Sequence, residues 1–330
     1  MRPHSFLEAE VRHRGVIHAR RKGVCRRHRR LAGAVAAGLL LAGSIACASS
    51  HDSQSRAIIR IIGSDTMVNL LQAWAEQYQH VKPAVVVQVA GGGSGVGIAG
   101  LIDGTLDIAA ASREIREAER EHLSKIYGAA PMELTVALDA LAIYVHRTNP
   151  AERISIADLA EIYGEHGGLL RWSQLGVHHP GCAADTIIRV GRQNNSGTYA
   201  YFRQIVLGPW REYKLGSIDQ SGSKDVVALV SRTPCAIGYS GLAYATPDVK
   251  ELKVAPRRNG IAIAASKASV IDASYPLARP LYLYTPTPPA AHVGAFLNWV
   301  VGPEGQTIVT ELGFVPPPHQ QTASVRVRDQ

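Results

Sequence analysis

Cysteine is scarce in this chain: four in 330 residues, at positions 25, 47, 182 and 235. No CxxC pair and no Cys/His spacing is present that would suit zinc. Net charge is missing from the body of the protein. Residues 1–46 hold ten Lys/Arg and two Asp/Glu, and the remainder holds twenty-five of each sign. The formal charge of +8 therefore belongs to the opening segment, and there is no basic body for a nucleic-acid backbone to follow. The apolar run Leu31–Ile45 is 15 residues, too short for a membrane span. Two nucleotide and hydrolase signatures also fail. Gly92-Gly93-Ser94-Gly95 is followed by Val96, not by the glycine that closes a nucleophile elbow, and no Gly-Lys-Ser/Thr follows the glycines as in a P-loop. Without a nucleophile–base pair or a metal cluster in the sequence, the expectation is a protein that is not an enzyme and needs no metal or cofactor.

What is present begins with a leader. Arg26, Arg27, Arg29 and Arg30 precede Leu31–Ile45, the basic-then-apolar order of an export signal. Cleavage after Ser44-Ile45-Ala46 would make Cys47 the first mature residue, a lipidation candidate. Ser44 stands where a typical lipoprotein signal has leucine, so a lipid anchor and a free exported protein both stay open. Either places the product in the periplasm or on the outer face of the cell membrane. Cys25 leaves with the leader. In an oxidising compartment Cys182 and Cys235 either pair or remain separate buried thiols; both readings stay open.

The stretch Val85–Gly97, VVVQVAGGGSGVG, reads as a strand covered on both faces, a glycine-rich turn and a helix start with Ser94 at the cap. Helix starts offer unpaired N–H groups and the positive end of a dipole, which suit an anion. Two other places repeat this design. Ile58–Ile62 run into Gly63-Ser64-Asp65-Thr66, and Ile187–Val190 run into Arg192 and Ser196-Gly197-Thr198. Arginine presents a planar fork of donors that matches an oxyanion. A capped helix with a surface arginine would carry the same residues, but three such ends in one chain favour convergence on a single oxyanion. Gly95-Val96-Gly97-Ile98-Ala99-Gly100 matches a dinucleotide fingerprint, yet Glu117 and Glu119 fall within a charged helix and not at a strand end. The pair His178-His179 reads as loop, and the tyrosines at 127, 144, 163, 239, 282 and 284 read as core and rim.

In chain order, strands are expected at 57–62, 85–89 and 106–111, alternating with helices over 66–78, 96–102 and 114–126. That order predicts a parallel sheet with helices on both faces. A strand-rich stretch over 132–146 follows. A second αβ unit begins after Asn149-Pro150, with Ser155 capping one helix and Ser223 another. Further strands are expected at 187–190, 236–239 and 281–284, and the last helices over 293–300 and 304–311.

Taken together, GSDTMVNLLQAWAEQY, VQVAGGGSGVGIAGLIDGTLDIAAASR, GRQNNSGTYAYF, AIGYSGLAY and YPLARPLYLYT resemble the phosphate-binding component of bacterial phosphate ABC importers. The similarity runs from about Ile58 to Phe314. It implies an α/β, two-lobed periplasmic-binding-protein fold of type II, with two interlobe crossovers and the ligand in the cleft. The expected layout is a signal peptide at 1–46, a linker at 47–56, one lobe from 57–145 plus 280–315, a second from 146–279 and a tail at 316–330. The crossings are expected near Val145–Thr148 and Tyr275–Pro280. The implied function is a monomeric receptor that binds hydrogen phosphate and delivers it to a membrane permease. The same fold for sulfate or molybdate is the alternative, and a phosphate-ester hydrolase is a further one.

Contacts implied by the resemblance are Ser64, Asp65, Thr66 and Met67 in the first loop, Ser94 in the glycine-rich loop, Ser112 and Arg113 after the third strand, and Arg192, Ser196, Gly197 and Thr198. Two departures stand out. Many members hold the binding arginine with an aspartate two residues on, where this chain has Asn194, so Arg192 is expected to lose a charged partner. Members also accept the phosphate proton with an aspartate after the third strand, where this chain reads Ala111-Ser112-Arg113. Asp65 is the candidate substitute and Asp107 the second choice.

Overall fold

The computed structural model describes residues 56–318. The expected leader, Cys47, nearly all of the linker and residues 319–330 of the tail lie outside the described residues.

Four isoleucines build β1 (Ala57–Gly63), where side chains branched at Cβ suit a pleated strand. The helix α1 (Val68–Val81) buries Leu70, Leu71, Trp74 and Tyr78 as one stripe, and the Trp74 indole N–H donates to the Gly305 carbonyl at 2.8 Å. Then come β2 (Val85–Ala90), α2 (Ser94–Ile102), β3 (Ile108–Ala111), α3 (Glu117–Tyr127) and the long β4 (Met132–His146). The chain continues through β5 (Arg153–Ser155), α4 (Ile156–Tyr163), β6 (Ile188–Arg192) and α5 (Gly197–Phe202), which runs on into a π turn over Arg203–Leu207. After these lie β7 (Ile218–Gln220), α6 (Ser223–Val230), β8 (Ala236–Gly241), β9 (Val249–Ala255), α7 (Lys267–Ile271), β10 (Ala278–Thr285), α8 (Ala291–Val301) and α9 (Pro303–Glu311).

The strand order is β2-β1-β3-β10-β4-β8-β6-β7, with β9 joining β4 and β5. The strands β1, β2 and β3 are parallel, as are β6, β7 and β8, while β10 runs antiparallel to both β3 and β4. One strand belongs to both halves. Up to Ala140, β4 pairs with β10; from Leu141 it pairs with β8. This is the type II periplasmic-binding-protein fold, two α/β lobes joined through crossing strands. In the first lobe the sheet is covered on one face by α1, α8 and α9 and on the other by α2 and α3. The second lobe has α4 and α5 on one face and α6 on the other. Parallel strands are stable only when helices cover both faces in this way. The second lobe also joins Cys182 to Cys235 by a disulfide, with Cα atoms 5.0 Å apart.

Four sequence expectations change. The valine strand β2 is the sheet edge, and Val85, Val86, Val87 and Val89 are only partly buried. A run of β-branched residues cannot by itself say whether one neighbour or two will pair with it. Gly93 and Gly222, not Ser94 and Ser223, occupy the caps of α2 and α6; both serines are the first helical residue. Their hydroxyls are thereby free to turn toward other elements. The strands β5, β7 and β9 and the short α7 were not expected. Two of those strands have three residues each, and in β9 the charges Lys250, Glu251 and Lys253 mask the buried Leu252, Val254 and Ala255.

Candidate functional site

The turn after β1 carries Ser64-Asp65-Thr66 between strand and helix. Ser64 and Thr66 are buried. The Met67 amide donates to the Ser64 carbonyl at 2.9 Å, and its side chain joins the first-lobe core. Across the next turn, Gly93 adopts φ 91°, and a Cβ there would lie 2.6 Å from the Asn195 carbonyl oxygen. Only glycine permits both the backbone angle and the approach. Ser94 Oγ accepts from the Ser112 amide at 3.0 Å, tying the α2 start to the end of β3. The hydroxyls of Ser64 and Ser112 are buried with no hydrogen-bond partner, so each has unused capacity toward a ligand.

From the second lobe, β6 delivers Arg192 and α5 begins at Gly197. Ser196 caps that helix, its Oγ accepting from the amides of Thr198 at 3.1 Å and Tyr199 at 3.5 Å. Its hydroxyl oxygen therefore serves the fold locally. A Cβ on Gly197 would sit 2.2 Å from Ser94 Oγ and 2.7 Å from Ser112 Oγ. The helix start thus presses directly onto both serines of the other lobe. Thr66 and Thr198 share a hydroxyl–hydroxyl hydrogen bond of 2.9 Å. Gly95 N donates to the Asn195 carbonyl at 3.0 Å, and Asn195 Nδ2 to the Gly92 carbonyl at 2.9 Å. The three helix starts do meet, and the lobes touch across the cleft.

The expectation that Arg192 lacks a charged partner is corrected by the structure. Asp65 reaches across the cleft and its Oδ2 accepts from Arg192 Nη2 at 3.0 Å, while its Oδ1 accepts from the Gly92 amide at 2.9 Å. The counter-charge that Asn194 cannot supply comes from the other lobe, 127 residues away. Arg192 is fully buried, and its other N–H groups meet Gln220 O, Ser221 O and Ser223 Oγ. Burial pulls its guanidinium below the ordinary arginine value, against the opposing pull of Asp65. Arg113 turns away toward α3, where the Glu119 carboxylate takes both of its Nη atoms at 2.8 and 2.7 Å. Asp107 accepts from the Arg60 amide at 2.8 Å and supports the strand ends.

Two site residues escaped the sequence reading. Arg279 on β10 and Asp139 on β4 stand directly opposite each other in the register. Both are almost wholly buried. Arg279 Nε and Nη2 donate to Asp139 Oδ2 at 3.0 and 2.9 Å, Nη1 to the Ser112 carbonyl at 3.2 Å, and Nη2 also reaches Thr198 Oγ1 at 3.1 Å and Thr66 Oγ1 at 3.3 Å. Burial pushes the Asp139 carboxyl above the ordinary aspartate value, opposed by Arg279. A signal existed for each: one charge of each sign set in an apolar strand, LDALAIYV and LARPLYLY. Buried charges of that kind must find each other. Ser223 was expected as a cap but bridges Arg192 Nη1, at 3.1 Å, and Thr66 Oγ1, at 3.5 Å. Tyr244 Oη holds the first loop through the Thr66 carbonyl at 2.8 Å and the Asp65 carbonyl at 3.1 Å.

The result is a cluster of short hydroxyls flanked by two paired arginines, rich in donors and low in net charge. Comparison with known proteins agrees with this chemistry. A PBP superfamily domain matches residues 48–304. The Phosphate-binding protein PstS of Pseudomonas aeruginosa is 32% identical over 267 residues, covering 78% of this chain and 82% of that one. The chain belongs to the family of phosphate-binding components of bacterial phosphate ABC importers. Another family relative, Protein SphX of Synechococcus elongatus, is 33% identical over 275 residues, 81% of this chain and 79% of that one. Among solved structures, a phosphate ABC transporter substrate-binding protein from Clostridium perfringens with bound phosphate aligns with a TM-score of 0.70 at 26% identity, over 79% of this chain and all of that one. An ABC-type phosphate transport receptor from Vibrio cholerae shares the fold, with a TM-score of 0.63 at 24% identity over 78% of this chain and 100% of that one.

Proposed function

We propose that this protein is an exported receptor for inorganic phosphate that closes its lobes, 57–145 plus 280–315 against 146–279, around the anion and hands it to a membrane permease. The carrying observation is the meeting of Thr66, Ser94, Ser112, Gly197 and Thr198 from both lobes beside Arg279, with Ser223 joining Thr66 to Arg192. Such an array offers hydroxyl and guanidinium donors to each face of a tetrahedral oxyanion. Charge-assisted hydrogen bonds contribute roughly 1.5–3 kcal/mol each, and several together offset the loss of the anion's hydration. The hydroxyls neighbour arginines and one another, an arrangement for holding an anion and not for activating a nucleophile. Asp65 supplies the acceptor that distinguishes hydrogen phosphate from sulfate: each of its oxygens has a second lone pair beyond those given to Arg192 and Gly92. Titration calorimetry of the purified protein with phosphate, then sulfate and molybdate as competitors, tests the reading. One-to-one phosphate binding that sulfate does not displace is expected. Tighter binding of another oxyanion overturns the ligand, and release of product from a chromogenic phosphate ester overturns the non-enzymatic role.

A further inference from the structure

Arg192 is the arginine that the family pattern singles out, yet the two threonines of the site do not converge on it. They converge on Arg279. Thr66 comes from the first lobe and Thr198 from the second, and both hydroxyls lie within 3.3 Å of Arg279 Nη2. The same guanidinium takes the Ser112 carbonyl of the first lobe and lies over the ring of Tyr201 of the second, 5.4 Å from its centroid. Tyr201 in turn donates to the carbonyl of Ala278, the residue before Arg279. One side chain therefore touches both lobes and both crossing strands.

Donor accounting gives this position a further meaning. A guanidinium carries five N–H groups, two of them on each Nη. At Arg279, Nε and one N–H of Nη2 serve Asp139, and the other N–H of Nη2 is left for the point where the two threonine hydroxyls meet. The chain of polar contacts is continuous, from Arg192 through Ser223 to Thr66, on to Thr198 and then Arg279. An oxyanion seated on the two threonines is thus within reach of a guanidinium on each side. Asp139 holds the second one from the neighbouring strand, its Oδ2 accepting from both Nε and Nη2.

We propose that Arg279 is a second anion-contacting arginine, set in the floor of the cleft on the crossing strands, and that Asp139 is the positioning residue that aims it. This rests on the oxyanion reading of the site. It differs from a purely structural ion pair in what it predicts for binding by folded protein.

The test compares phosphate affinity by calorimetry in the full chain and in two variants, with thermal unfolding run alongside. Arg279→Lys keeps the charge beside Asp139 and removes the fork that reaches the threonines. It is expected to weaken phosphate binding roughly 10- to 150-fold, the range of one charge-assisted hydrogen bond. The double variant Asp139→Asn with Arg279→Gln replaces the ion pair by two neutral amides and guards against a loss of folding caused by one unpaired charge. It is expected to unfold cooperatively and to bind phosphate at least as weakly as Arg279→Lys. Wild-type affinity in either folded variant, whatever its melting temperature, would show the pair to be structural only and overturn the proposal. If the unaltered protein binds no phosphate, the oxyanion reading falls and this proposal with it.

Discussion

Arg192 and Arg279 are both buried guanidiniums, each held by one aspartate, but the two aspartates reach them by different routes. Asp139 sits opposite Arg279 on the neighbouring strand, so the pair exists wherever β4 and β10 are zipped together. Asp65 comes to Arg192 from the opposite lobe, so that pair depends on how the two lobes meet and not on strand register. Exposure follows the same division, at 1% for the Asp139 side chain and 18% for that of Asp65. One pair is set within neighbouring strands; the other spans the cleft.

The contrast can be broken most forcefully at Arg279. Arg279→Met leaves Asp139 buried and unpaired and should cost about 3–5 kcal/mol of stability, read as a lower denaturant midpoint. Arg192→Met leaves its aspartate at the solvent-accessible side of the cleft. It should cost only about 1–2 kcal/mol by the same measurement, while weakening phosphate binding by calorimetry about 100-fold or more. Equal stability losses for the two methionine variants would erase the distinction between strand pair and cleft pair. Asp65→Asn keeps the shape of the side chain and removes its charge. It leaves the fully buried Arg192 without a carboxylate and should cost about 1–2 kcal/mol of stability, lower phosphate affinity several-fold, and let sulfate compete. Unchanged selectivity would remove Asp65 from the role of proton acceptor.

The smallest effect sharpens the comparison by pH. Burial raises the Asp139 carboxyl, against the pull of Arg279. The folded protein therefore keeps that proton to higher pH than the unfolded chain, whose aspartate titrates near ~3.9. Between the two values unfolding releases a proton, so stability from this group is greatest below the unfolded value and declines as pH rises through the folded one. Melting temperatures of the wild type minus those of Asp139→Asn should accordingly fall with rising pH across that window. A flat difference would show that Asp139 titrates in the folded protein as it does in the unfolded chain.

Much of the architecture was legible because its signals are local. The stripe Leu70, Leu71, Trp74, Tyr78 announces α1 at helical spacing, and the isoleucines of β1 announce a strand. The hydroxyl-and-glycine turns after β1, β2 and β6 mark the three places where the cleft is built. Legibility ended where a residue's role depended on a distant neighbour. Ser94 and Ser223 looked like caps because local chemistry favours serine there, but Ser112 and Arg192 compete for their hydroxyls. Arg113, named among the contacts the resemblance implies, is paired with Glu119, six residues on, which no local signal announces. The valines of β2 looked central because hydrophobicity does not report the number of paired neighbours.

By itself the sequence determined the type and order of the elements, the glycines that allow two loops to approach, and the stock of hydroxyls and arginines for an anion. These follow from backbone sterics, side-chain periodicity and the unpaired N–H groups of helix starts, all set within a few residues. Only the tertiary structure decided which charge answers which. Asp65 and Arg192 are 127 residues apart, and Asp139 and Arg279 are 140. Each guanidinium, once carried out of water, is stabilised by a carboxylate brought there by strand register in one case and by the meeting of the two lobes in the other.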